Sequence, residues 1–312
     1  MLSPRTHLPR VTPSSASSAS SASSAATWLG AAVFAFFLAA PRDASAFCRT
    51  TTCRDASCPT DADGCVTSGA PLHWPTSCIG FSVDARMSRN LPEAATRTAI
   101  ERAFLAWTER DCGDGRASLT FSPLADTTCG AVGYRKEGAN VHVITFRDDD
   151  WSYRGVDNSL AKTTVTFDAS TGEILDADIE VNTATNPVTT GDKDVRYDLQ
   201  SILTHEVGHL IGLAHTPDSE ATMFAAYQTG TTDFRTLAGD DVRAICAVYP
   251  PGRAAACAPT PRGGLLRSCD APAGEEGGCA FGPPRVRSPA SVVTFAVLSL
   301  LLAARRRSQG SA

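Results

Sequence analysis

The sequence predicts an α+β domain over about residues 70–250, because helical and strand-like patterns come in runs and do not alternate strictly as βαβ units. Two stretches carry the prediction: a hairpin pattern over 162–182, and a helical pattern soon after it that contains HEVGHLIGLAH at 205–215. At 312 residues and 43% hydrophobic, the chain can bury one sizeable core and has length left for appendages.

The elements follow in order. CIGFSV at 78–83 reads as a strand, and a helix starts near Pro92 with Ile100, Ala103, Phe104 and Trp107 on one apolar face. That helix stops around the glycine-containing DCGDG at 111–115. ASLTF at 117–121 and NVHVITF at 140–146 are strand-like, being alternating or β-branched. In the hairpin, DASTG at 168–172 is the turn, and Val165, Phe167, Ile179 and Val181 are the inward candidates. Asp198 is placed to cap the next helix, and a shorter helix in DDVRAICAVY ends before Pro250 and Pro251.

The ends have a different character. Residues 1–46 read as a secretory signal peptide: Arg5 and Arg10, a Ser/Ala run, the apolar TWLGAAVFAFFLAA, then ASA, with cleavage before Phe47. Residues 47–71 form a cysteine-rich N-terminal extension, and 251–288 a Pro/Gly-rich linker that carries one or two bridges and includes Cys279. Residues 289–307 are a short hydrophobic span backed by Arg305, Arg306 and Arg307. The order Gly-Gly-Cys, span, Arg cluster resembles myxobacterial-type C-terminal sorting tails, which implies that Cys279 is a processing or lipid-attachment point. An ordinary C-terminal membrane anchor is the alternative. Either way, contact with a membrane runs only through this tail.

Without residues 1–46 and 279–312, 20 basic residues stand against 32 acidic ones, a net charge of −12. That charge fits an exported, soluble protein and excludes nucleic acid as an expected partner. Eleven cysteines beside an export signal read as disulfides, with Cys279 set aside and ten left to pair. Cys48, Cys53, Cys58, Cys65 and Cys78 crowd one polar stretch, and Cys112 with Cys129 and Cys246 with Cys257 are the local bridges expected.

The chemistry concentrates in 205–215. On a helix, positions four apart lie about 40° off register, so His205 and His209 project the same way and can share one metal ion. Glu206 is close enough to act as general base toward a metal-bound water. Gly212 ends the helix and lets the chain turn so that His215 becomes the third ligand. Three protein ligands leave one position open, the arrangement of a catalytic rather than a structural zinc site.

HEVGHLIGLAH followed by TPDSEATMFAAY resembles the metzincin metallopeptidases, and most closely the matrixin branch. The resemblance covers about residues 72–250. It implies a twisted mixed sheet with an active-site helix and a C-terminal helix, and one catalytic Zn2+ held by His205, His209 and His215. It also implies hydrolysis of peptide bonds in protein or peptide substrates, with Glu206 taking a proton from the attacking water. Met223 matches the Met-turn methionine. Tyr227 matches the tyrosine of the pocket wall, although Ala225 stands where a proline is usual. The backbone around Leu160 and Ala161 matches the edge strand that pairs with an extended substrate, and the small Ser201 implies an open pocket beyond the scissile bond. Asp240 and Asp241 either tie the last helix to the Met-turn or an amino group, or merely favour a helix N-terminus.

The departures are specific. Lys162 and Glu180 occupy two positions where matrixins hold a second zinc, so only one zinc is expected. Ca2+ has only Asp148, Asp149 and Asp150 to offer it ligands, and a solvated charged turn is the favoured reading there. A different class of function, a surface-displayed binding or adhesion module with a structural zinc site, fits the tail and the cysteine cluster but gives Glu206 no task.

Overall fold

Five strands make one sheet in the order β2-β1-β3-β5-β4: β1 Cys78–Val83, β2 Thr120–Pro123, β3 Val143–Arg147, β4 Ala161–Phe167 and β5 Ile174–Asn182. The computed structural model describes residues 47–154 and 159–270, with the backbone of Ser3–Pro4, all within one unit, Met1–Glu275. The expected sorting tail, hydrophobic span and Cys279 lie outside the described residues, as does almost all of the expected signal peptide. No helix among the described residues is long and apolar enough to cross a membrane.

β1 pairs in parallel with β2 and β3, and β3 with β5, whereas β4 runs antiparallel to β5 at the sheet edge. The β4–β5 hairpin closes through Gly172, whose N–H donates to Asp168 O at 2.9 Å and whose φ of +77° suits a residue without Cβ. Strand alternation sends Ile179 and Val181 into the main core, with Val165 and Phe167 packed at its margin. The other face of β5 presents Asp176, Asp178, Glu180 and Asn182, all buried.

Helix α1, Glu93–Thr108, buries the face predicted for it, including Ile100, Ala103, Phe104 and Trp107. Phe104 stacks on Phe81 of β1 at 4.1 Å. Helix α2, Leu199–Leu210, is capped by Asp198, whose side chain accepts the Ser201 N–H at 2.8 Å. Trp107 joins the two helices by donating its indole N–H to Thr204 O at 2.8 Å. Helix α3, Gly239–Val248, adds Ala244 and Ile245 to the same core.

Three sequence expectations are corrected. The strand expected at 117–121 lies at Thr120–Pro123: Ala117 and Leu119 are buried in the core before the ladder begins. The local bridges expected for Cys112–Cys129 and Cys246–Cys257 do not form. Tertiary packing pairs Cys112 with Cys246 on α3, Cys78 with Cys257 and Cys129 with Cys269, while Cys48–Cys65 and Cys53–Cys58 staple the N-terminal extension. Residues 251–270, expected as a linker carrying one or two bridges, are packed on the domain. Two of those disulfides fasten them, and Leu266 is buried with Cys129, Val141 and Val143.

Candidate metal centre

Helix α2 is buried almost all round, with only Gln200 and His209 partly exposed, so its polar side chains must find partners inside the fold. His205 Nδ1 lies 2.7 Å from Thr222 O, and His209 Nδ1 lies 2.9 Å from Leu213 O. Only a protonated Nδ1 bonds a carbonyl, so each ring keeps its lone pair on Nε2. Burial, reinforced by the neighbouring imidazoles, holds both histidines well below their ordinary pKa and therefore neutral.

The chain returns at Gly212. Its φ is +93°, and a Cβ there would meet Leu72 O at 2.5 Å, so both backbone angle and space require glycine. Beyond this bend His215 faces α2, with Nε2 3.2 Å from His205 Nε2. One ligand atom from each of His205, His209 and His215 lies within 4.8 Å of the others.

The three imidazoles fit a metal ion on two grounds. His209 Nε2 is buried without a hydrogen-bond partner among the described residues, an arrangement that costs free energy unless something accepts the lone pair. Two rings are also oriented through Nδ1 to backbone carbonyls, the outer contact that fixes metal-ligating histidines. Among the described residues, His73 and His142 stand outside this group.

Glu206, the neighbour of His205 on α2, is fully buried, and its Oε2 accepts the Thr163 hydroxyl from edge strand β4 at 2.6 Å. Thr163 was not singled out by the sequence, which offers no local signal for it. Met223 is 2% exposed beneath α2, where a Cβ on Gly208 would lie 2.1 Å from its Sδ. Asp241 fixes the Met223 turn by accepting the N–H groups of Thr222 and Met223 at 2.7 and 3.1 Å. Asp240 instead takes Thr216 Oγ1 and Arg243, each at 2.9 Å.

Leu160, Ala161, Ile202, Tyr227 and Phe234 form a second apolar cluster beside the histidines, in which Phe234 stacks against His205 at 6.3 Å. Burial pushes the Tyr227 hydroxyl up to about 12, and it accepts the Asp198 N–H at 3.1 Å. Ser201 is fully buried on α2 within reach of that hydroxyl. Backbone of Ser3–Pro4 pairs in parallel with Ala226–Tyr227.

The side chains at the other positions weighed for a cation are bonded within the protein. Glu180 accepts from Arg147 Nε at 2.7 Å and from the Tyr153 hydroxyl at 2.5 Å, while Lys162 Nζ sits 3.7 Å above the Tyr153 ring. Asp148 accepts Ser88 Oγ and Arg89 N–H at 2.7 Å and also the Thr183 hydroxyl, and Asp149 pairs with Arg89. Asp150 accepts the Ser152 hydroxyl at 2.6 Å.

An α+β domain with a three-histidine centre, an adjacent buried glutamate and a methionine turn below defines a metzincin. The matrixin family profile matches residues 73–250, and the chain belongs to that family. It is 27% identical to interstitial collagenase A of Mus musculus over 57% of this chain and 33% of the collagenase. It is 27% identical to matrix metalloproteinase-C of Caenorhabditis elegans, over 62% and 31%, and 29% identical to human matrix metalloproteinase-16, over 57% and 27%. The chain thus spans about a third or less of the length of these relatives.

Proposed function

We propose that this chain is an exported, zinc-dependent endopeptidase. The observation that carries the reading is the convergence of three imidazoles, His205, His209 and His215, beside the buried Glu206. His205, His209 and His215 would hold the ion. Zinc, when bound, supplies Lewis acidity that polarises a peptide carbonyl and acidifies water at the open position.

The chain's own groups do the remainder. Glu206 accepts the proton lost by the attacking water at one carboxylate oxygen and delivers it to the departing amine. Thr163 holds the other oxygen, so the free rotation of the carboxylate is restricted. Edge strand β4, entered through Leu160 and Ala161, and the segment Ala226–Tyr227 bracket the centre as two places where an extended peptide can add as a strand. The Ser3–Pro4 pairing on Ala226–Tyr227 supports the second of these. That geometry suits protein or peptide substrates, and we assign Ser201 and Tyr227 to the wall of the pocket beyond the scissile bond. The leader at 1–46 and the five disulfides support an extracellular or cell-surface location.

The test is a cleavage profile over a proteome-derived peptide library, comparing the parent with Glu206→Gln. The parent should carry stoichiometric zinc and cut. Glu206→Gln should keep the zinc and lose cutting by about 10²- to 10⁴-fold. A zinc-loaded parent that cuts nothing, or a variant that cuts as well as the parent, overturns the reading.

A further inference from the structure

The extension at 47–71 touches the chain at the bend that carries the third histidine. Arg49 forms an antiparallel bridge with Leu213, in which Thr50 N–H donates to Gly212 O at 3.0 Å and Ala214 N–H donates to Cys48 O at 2.9 Å. The Thr50 hydroxyl donates to Leu213 O at 2.9 Å, the same carbonyl that fixes His209 Nδ1. Three consecutive residues between the second and third ligands are thus bonded by Cys48 and Thr50, on either side of Arg49.

The extension is itself held from behind. Thr51 bridges Pro71, Leu72 N–H donates to Thr50 O at 2.8 Å, and Thr52 N–H donates to Ala70 O at 3.0 Å. Arg49 Nη2 donates to Leu72 O at 2.6 Å, the atom against which Gly212 is packed. Cys48 and Cys65, 5% and 8% exposed, close this layer covalently. A bend closed only by Gly212 would keep much of its backbone freedom, and a metal would have to order it on binding. A bend already paired along 212–214 has paid that entropy in folding.

We propose that the disulfide-stapled extension is part of the frame of the metal centre, with Thr50 and the Cys48 carbonyl as positioning groups for His209 and His215. The inference rests on the proposed zinc site. It gives the cysteine cluster a task at the metal, and cleavage of the proposed leader before Phe47 would put that task beside the resulting amino terminus.

The experiment measures zinc release from the full protein to an excess of a chromogenic chelator, for the parent, Thr50→Val and Thr50→Ser. Thr50→Val keeps the shape and removes the donor to Leu213 O. It should release zinc at least about tenfold faster, the size usual for contacts behind metal ligands. Thr50→Ser should behave as the parent does, and the melting temperature of zinc-free Thr50→Val should match that of the zinc-free parent. A Cys48→Ala/Cys65→Ala variant should release faster than Thr50→Val. Parent-like release from Thr50→Val, or equally fast release from both Thr50 variants, overturns the proposal. Zinc stoichiometry and peptide cutting by the parent alone test the underlying site, so the two failures are distinguishable.

Discussion

Thr163 on the edge strand donates its hydroxyl to Oε2 of Glu206 on the active-site helix at 2.6 Å, across 43 residues of sequence. The strand proposed to receive substrate and the base proposed to act on water are therefore linked through this hydroxyl, which also lies 3.1 Å from Glu206 O. Thr163→Val removes the donor at nearly constant volume. It should lower kcat by about tenfold with a smaller change in KM, because the lost restraint acts on the reacting carboxylate rather than on peptide binding. Steady-state kinetics on one cleaved peptide checks this, and an unchanged kcat refutes it.

Gly212 carries two independent demands, a φ of +93° and a 2.5 Å approach of any Cβ to Leu72 O. Gly212→Ala should cost on the order of 2–4 kcal/mol from backbone strain and overpacking together. Because the bend delivers His215, the zinc content after dialysis should fall as well. Denaturant unfolding and metal analysis of the same preparation read both effects.

The metal centre was legible where its geometry is local. The helical period sets His205, Glu206 and His209, Gly212 signals the bend, and Asp198 sits where a cap belongs. What escaped notice has partners far away in sequence: Thr163 lies 43 residues from Glu206, and Arg235 lies 37 from Asp198. Cys112 finds Cys246 across 134 residues because α1 and α3 enter one core, a fact that cysteine spacing does not encode. The stretch 251–270 reads as a linker by composition, and only its disulfides and the burial of Leu266 make it part of the domain. The family resemblance supplied the sheet's edge and the methionine turn, which hydrophobic patterning alone did not.

Arg235 grips Asp198, the cap of the active-site helix, with Nε to Oδ2 at 2.8 Å and Nη2 to Oδ1 at 2.6 Å. Asp198 is fully buried while the Arg235 side chain is 19% exposed. Arg235→Ala should leave an unpaired buried carboxylate and cost roughly 3–5 kcal/mol, as removal of one partner from a buried pair does. Arg235→Lys keeps the charge without the fork and should recover only part of that loss. Chemical denaturation of the three proteins in parallel is the check, and a neutral Arg235→Ala would remove the pair from any stabilising role.

Asp176 and Asp178 share the buried face of β5, and His142 Nε2 lies 3.6 Å from Asp176 Oδ1. Burial pushes both carboxyls up, Asp176 further than Asp178 because the Asp178 carboxylate beside it adds to the burial. His142 is shifted downward, chiefly by burial, and stays neutral in the fold. A carboxyl with a raised folded pKa binds its proton more tightly in the native state than in the unfolded chain. Its contribution is fully present below about pH 4, the unfolded value, and is lost as pH rises through the folded one. His142 acts in the opposite sense, costing stability only as pH falls below about 6.5. Above about pH 6.5, where His142 is neutral in both states, the acid pair therefore dominates this cluster, and its contribution to stability should decline as pH rises through the raised carboxyl values. Asp176→Asn cannot ionise, so its denaturation midpoint should fall less than the parent's across that range. Parallel slopes for parent and variant, measured by denaturant unfolding at several pH values, would show that the buried pair does not carry the pH dependence.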